Sequence, residues 1–174
     1  MKVVDEITDF NPNTTYMECP KKGMKWMLKN LDIDDVEGGI IRNPDHPEYG
    51  CYYTWDAAKR IADKIPGWHL PTPQEWDMLA VIAGGSDIVG KKLKSRTGWK
   101  DDGNGTDDFG FSALPAGCYE GDFHYVGSNT YFWTASDNDS NCALNRHFDT
   151  WSTMHLFIFS KNCQFSVRLV KDYE

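Results

Sequence analysis

The chain has 174 residues, 40% of them hydrophobic and 14% aromatic, with seven Trp. That is enough apolar surface for the core of one domain and too much for a disordered chain. A formal net charge of −8 and an isoelectric point near 5.0 argue against nucleic-acid binding, which calls for a basic face.

The acids gather in strings such as Asp32-Ile33-Asp34-Asp35 and Asp101-Asp102, as solvated loops do. No stretch approaches the roughly 18 apolar residues of a membrane span, so no membrane insertion is expected. The N-terminus, Met1-Lys2-Val3-Val4-Asp5-Glu6, carries acids where a signal peptide carries its apolar run. The Cys residues, at 19, 51, 118, 142 and 163, are odd in number and show no C-x-x-C spacing. Neither a metal cluster nor a dense disulfide framework is expected. Free buried thiols are the simplest state, with one or two bridges left open.

Residues 1–22 are polar and turn-rich and read as an edge strand or arm. Gly23 to Leu31 mixes Trp and Met with Lys, as a strand packing one face would. A loop follows through Gly38-Gly39 and Asn43-Pro44 to Gly50. The first clear helix starts after Thr54, a candidate N-cap, with apolar positions at 55, 58, 61, 62 and 65; Pro66-Gly67 stops it. Trp68-His69-Leu70 is a short extended piece. Thr72-Pro73-Gln74-Glu75 is a capping box with Pro at the first helical position. It opens a second helix with Trp76, Leu79, Ala80 and Ile82 on its buried face, ended by Gly84-Gly85. Beyond residue 90 the texture changes to Gly, Asn, Asp and Ser alternating with short aromatic stretches. Leu114–Gly117, Tyr131–Thr134, Ala143–Phe148, Met154–Phe159 and Phe165–Val170 read as short strands joined by turns. Two helices followed by many short strands and long loops predict one α+β domain spanning 1–174.

Several strings then become recognisable. They are GMKWMLKNL (23–31), YTWDAA (53–58), GWHLPTPQEW (67–76) and KLKS (92–95) with Gly98-Trp99. DGNGTDDFGFSALP (102–115), YFWT (131–134) and the closing FSVRLVK (165–171) complete the set. Together they resemble the Fibrobacter succinogenes major paralogous domain. The resemblance implies a C-type lectin fold related to formylglycine-generating enzymes, with two helices packed on twisted antiparallel sheets and long loops. It also implies a frequent place on bacterial surfaces. Some proteins of this fold are the variable proteins of diversity-generating retroelements, whose last strands and loops carry hypervariable ligand contacts. On that reading this chain is a non-enzymatic receptor-type protein of a cell or virion surface, binding a protein or glycan ligand. A module of fixed specificity is the alternative, and a formylglycine-generating-type enzyme a third.

The segment 137–163 lies between two matching blocks and matches the family least. Ala143-Leu144-Asn145-Arg146-His147-Phe148-Asp149 alternates, which predicts Leu144 and Phe148 facing in and Asn145, His147 and Asp149 facing out. With Asn138, Ser140 and Cys142 these are varied, mid-sized side chains suited to adaptable recognition. Adenine-directed diversification of Asn codons reaches all of these residue types but not Trp151, Met154 or Lys161. Where the family tends to show alternating tyrosines, here at 155, 157 and 159, Leu156 and Ile158 fall on the opposite face. Exposed beside Cys142, His147 and Trp151 they would form an apolar patch. The expected ligand-binding set is therefore Asn138, Ser140, Cys142, Asn145, His147, Asp149, Trp151, Leu156 and Ile158.

Other candidates have simpler readings. Asp101–Asp108 is rich in the oxygen ligands that calcium prefers, but its spacing is not that of an EF-hand, and a turn held by Asx hydrogen bonds accounts for it. The five His form no zinc-type grouping. Neither a metal nor a cofactor is expected. His69 is expected to pack and hydrogen-bond at a helix start, and Arg168 to form a buried or semi-buried hydrogen-bonded pair. Trp26, Trp68, Trp76, Trp99 and Trp133 are expected in the core.

Overall fold

The computed structural model describes residues 16–19, as backbone, and 24–172. Most of the expected arm lies outside these residues. Its described part is a strand, β1 (Tyr16–Cys19), at the edge of a three-stranded antiparallel sheet. β1 pairs with β2 (Met24–Met27), and β2 pairs on its other side with β10 (Val170–Asp172). One small sheet thus joins both ends of the described chain. β3 (Ile40–Arg42) and β4 (Cys51–Tyr53) form an antiparallel pair.

The two expected helices form where their caps place them. Helix α1 (Trp55–Asp63) starts at Thr54, which has extended backbone and accepts the Ala57 N–H. Its buried face is Trp55, Ala58, Ile61 and Ala62 with Ala57. Helix α2 (Pro73–Ile82) carries the full capping box. Thr72 Oγ1 accepts from Glu75 N at 3.2 Å, and Glu75 Oε2 accepts from Thr72 N at 2.7 Å. A third helix, α3 (Val89–Leu93), was not expected. Its sequence, VGKKL, has no useful periodicity, and tertiary contact holds it: a Cβ at Gly90 would lie 2.7 Å from the Ser152 carbonyl.

After α3 come β5 (Cys118–Tyr119) with β6 (Phe123–His124), then a three-stranded antiparallel sheet in the order β7 (Thr130–Asp137), β8 (Cys142–Phe148), β9 (His155–Ser160). Leu114–Gly117, expected as a strand, is irregular, and only Gly117 joins a bridge, to Thr130. Pro115 has no N–H to give a ladder, and the Leu114 and Pro115 carbonyls accept from Ala116 and Gly127. The expected Phe165–Val170 strand instead divides its backbone bonds among several separate segments, including Trp133 N–H to the Ser166 carbonyl and His69 with Val170. Phe165 pairs with Tyr53, the Val167 and Leu169 carbonyls accept from Leu31 and Met27, and only Val170 enters a strand.

Two main cores result. One lies under α1 and includes Trp55, Ile61, Trp68, Tyr131, Trp133, Phe165 and Leu169. The other lies under α2 and α3 and includes Trp26, Trp76, Leu79, Trp99, Phe111, Phe132 and Phe148. Tyr131 and Trp133 belong to the first and Phe132 to the second, so β7 runs between the two cores with its alternate side chains in each. All five Trp expected inside are buried.

Arg168 ties these parts together. It is 1% exposed, and its guanidinium donates to Asn30 Oδ1 (2.7 Å) and to the carbonyls of Met27 (3.1 Å), Phe111 (2.7 Å) and Ser112 (3.2 Å). It also lies over the Phe111 ring at 4.6 Å. Arg168 is buried and hydrogen-bonded as expected, but to four carbonyl and amide oxygens and not to a single paired side chain. Burial pushes the guanidinium down to about 9.

The α2 cap gives a direct check. Thr72→Ala removes one half of the capping box and should lower stability by about 1 kcal/mol. Urea unfolding followed by far-UV circular dichroism should show a lower midpoint with an unchanged slope.

Candidate ligand-recognition surface

The register of β8 against β9 decides which predicted contact residues reach solvent. Asn145 faces Phe157, His147 faces His155, and Leu144 faces Ile158. Asn145 and His147, expected to face out, are 0% and 6% exposed, and this is a correction. β8 is the middle strand, and both of its faces are covered. Ala143 lies in the core under α1, while Phe148 lies in the core under α2. Between them Arg146 donates to the Pro73 carbonyl (2.8 Å) and to Asp77 Oδ1 (2.6 Å) on α2. Of the two residues expected inside, Phe148 is fully buried and Leu144 half-buried. Asn145 Nδ2 donates to the Phe157 carbonyl at 3.2 Å, so it braces the hairpin from within.

The other predicted residues line the outer side of this hairpin. Leu156 and Ile158 are 44% and 54% exposed, as the apolar-patch expectation required, and Phe157 is 43% exposed between them. Phe157 went unpredicted because alternation assigns it to the face opposite its neighbours. On this edge strand Phe159 packs against the core under α1, while Leu156, Phe157 and Ile158 meet water from both faces. The backbone is open there as well. Lys161 N donates to Asn141 O, and the Cys142 carbonyl accepts from Asn138 and Asp139 on the β7 side. Antiparallel alternation then directs the backbones of His155, Phe157 and Phe159 toward β8, and those of Leu156 and Ile158 away from it. β9 is the sheet edge, and residues 155–160 contain none of the Pro, Lys or acidic residues that usually protect an edge.

The two ends of this edge carry the remaining candidates. At one end Asn138 and Ser140 are exposed in the β7–β8 turn, and Cys142 is half-buried. Asp139 Oδ1 fixes that turn by accepting from Asn141 N (2.8 Å) and Cys142 N (2.9 Å). At the other end the 149–154 loop carries half-buried Asp149 and Trp151, which is 74% exposed. This loop is held from below. Lys94, 1% exposed, donates through Nζ to the carbonyls of Asp149 and Trp151, both at 2.8 Å, and Asp149 Oδ1 accepts from Trp151 N at 2.7 Å. Burial pushes the Lys94 ammonium down to about 8. The six residues of β9 separate the two ends by on the order of 17 Å.

Groups with metal or nucleophile chemistry are engaged elsewhere. His69, Glu75 and Asp172 bring three ligand atoms within 4.8 Å of one another. However, Glu75 uses Oε1 on His69 Nε2 (2.8 Å) and Oε2 on the α2 cap, which makes His69 the helix-start contact expected of it. In the Asp101–Asp108 string, Asn104 Oδ1 accepts from Trp99 N and Asp107 Oδ1 from Ser112 N, as an Asx-held turn requires. Cys51, Cys118 and Cys163 are buried free thiols, each pushed up to about 12 by burial. Among the described residues no helix is long and apolar enough to cross a membrane.

Among the described residues, three α-helices and several small antiparallel sheets define a mixed α+β domain, with its recognition candidates on and beside the β8–β9 hairpin. The chain belongs to the Fibrobacter succinogenes major domain family, whose model matches residues 22–171. No curated protein and no solved structure matches the chain.

His147 makes this hairpin sensitive to acid. Its Nε2 accepts from Asn129 Nδ2 at 2.9 Å, so the ring is neutral, and Nδ1 is buried without a partner among the described residues. Burial pushes its pKa down to about 4, nearby His155 adds to the fall, and Asp149 opposes it. The unfolded chain therefore binds a proton that the folded chain refuses, and stability falls as pH drops from about 6.5 toward 4. Stability curves of wild type and His147→Gln, measured by urea unfolding across that range, should differ in slope. The variant should lose on the order of 2 kcal/mol less than wild type.

Proposed function

We propose that this protein is a non-enzymatic, receptor-type binding protein of C-type lectin fold that recognises a protein or glycan ligand with the outer side of its β8–β9 hairpin. We further propose that it is a variable protein of a diversity-generating retroelement, displayed on a cell or virion surface. The observation that carries the reading is the run Leu156-Phe157-Ile158, three large apolar side chains exposed in succession on an unpaired edge strand. A folded chain gains nothing by leaving them in water; about 25 cal/mol per Å² becomes available when a partner covers them. The ends of the edge are fixed by Lys94 and Asp139, so binding meets a low ordering cost. The high thiol pKa values of the buried Cys support the non-enzymatic reading, because the nucleophile is the thiolate.

Exposure also sorts the residues by how freely they can vary. Asn138, Ser140, Leu156, Phe157 and Ile158 are exposed and of types that adenine mutagenesis of an Asn codon produces. Asn145 and His147 are of such types but are sealed inside. One feature favours a module of fixed specificity instead: Trp151, the most exposed aromatic of the segment, cannot arise from an Asn codon by that route.

Sequencing the 3′ coding end of this gene across its source population separates the two. The retroelement reading expects substitutions concentrated at codons 138, 140 and 156–158, constancy at 145, 147 and 165–170, and a nearby reverse transcriptase gene with an adenine-rich template repeat. Constancy throughout, with no such repeat, would leave a fixed-specificity module. Substitutions as frequent at 145 and 147 as at 156–158 would contradict the assignment of the face.

A further inference from the structure

A cavity of about 600 Å³, within the usual range for small-molecule sites, is lined by residues of which none comes from segment 137–163. Its wall holds charges of both signs that do not pair with each other. Arg168 uses four of its five N–H groups on Asn30 and three carbonyls, and the fifth, on Nη2, has no acceptor among the described residues. Lys29, also on the wall, has no partner among them either. Asp107 accepts only the Ser112 N–H through its side chain and makes no ion pair with either cation. The other two wall carboxylates are engaged: Asp32 with Arg42 at 3.0 Å and Glu48 with His46 at 3.0 Å.

The wall is also preformed. Asp107 (φ 47) and Ser112 (φ 51) sit in the left-handed region, a conformation costing a non-glycine residue about 1 kcal/mol or more and often kept at ligand clamps. Both belong to the loop whose Phe111 and Ser112 carbonyls Arg168 grips. Leu28, Pro47 and Leu114 give the cavity an apolar side.

A simple anion placed against Arg168 would meet Asp107 as a like charge, and a simple cation beside Asp107 would meet Arg168. A molecule with both charges at short separation satisfies the two together. We propose that this cavity binds a zwitterion of the α-amino acid type: its carboxylate against Arg168 and Lys29, its ammonium against Asp107, and an apolar side chain along Leu28, Pro47 and Leu114.

Calorimetric titration of the whole chain tests this with three probes of one skeleton: L-leucine, 4-methylpentanoate, which lacks the amine, and 3-methylbutylamine, which lacks the carboxylate. L-Leucine should bind, and each analogue should bind at least about tenfold more weakly. Asp107→Asn keeps an acceptor for the Ser112 N–H, so it should fold; it should weaken L-leucine about tenfold while leaving 4-methylpentanoate no weaker than before. Lys29→Ala, at an exposed position, should weaken L-leucine and 4-methylpentanoate alike. Arg168 itself is too deeply tied into the fold to serve. Absence of L-leucine binding at millimolar concentration, equal binding of either analogue, or an unchanged L-leucine affinity in Asp107→Asn would overturn the proposal.

Discussion

One buried cation holds the framework in register. Arg168 reaches from the end of the chain to β2 at Met27, to Asn30 beyond it, and to the 111–112 turn. A desolvated guanidinium is costly unless its donors are used. Here the acceptors are mostly main-chain carbonyls, so the requirement falls on backbone position rather than on a partner side chain. Three segments distant in sequence must meet at one point. The bridge from His69 to Val170 and the pairing of β2 with β10 follow from the same convergence.

The sheet β7-β8-β9 inherits its properties from this framework. Two cores clasp β7 and β8 from either side, and of β9 only Phe159 packs against one of them. The result is a strand held on one edge by a rigid neighbour and open on the other. Lys94 extends the same logic to the loop that carries Trp151, where a buried ammonium fixes carbonyls and leaves the indole outside. Rigidity beneath and exposure above are what a recognition surface needs. The side chains at 156–158 do little packing, whereas those at 145 and 147 do a great deal.

Local signals in the sequence suffice for α1 and α2. Thr54 and the Thr72–Glu75 box act within one turn of chain, so their geometry is legible without tertiary knowledge. The mixed α+β character and the buried Trp set followed from periodicity and from the family blocks. What stayed hidden depends on distant neighbours. Helix α3 forms because Gly90 lets the Ser152 backbone approach. The alternation of β8 separates its two faces correctly, but no pattern within seven residues reveals that both faces are covered. For the same reason alternation alone marks Asn145 and His147 as contacts and passes over Phe157. The polarity of a strand shows which side chains share a face; whether that face meets water depends on what the rest of the chain lays against it.

If β9 is a rigidly held strand with a free outer edge, amide hydrogen exchange read residue by residue by NMR will show it as two classes of N–H along one strand. The N–H groups of Phe157 and Phe159, directed toward β8, should be protected like those of the cores. Those of Leu156 and Ile158 should exchange faster by on the order of a hundredfold or more, because only water is available to them. Equal, strong protection at all four positions would mean that the edge is already occupied, and the recognition surface proposed above would not exist in the free protein.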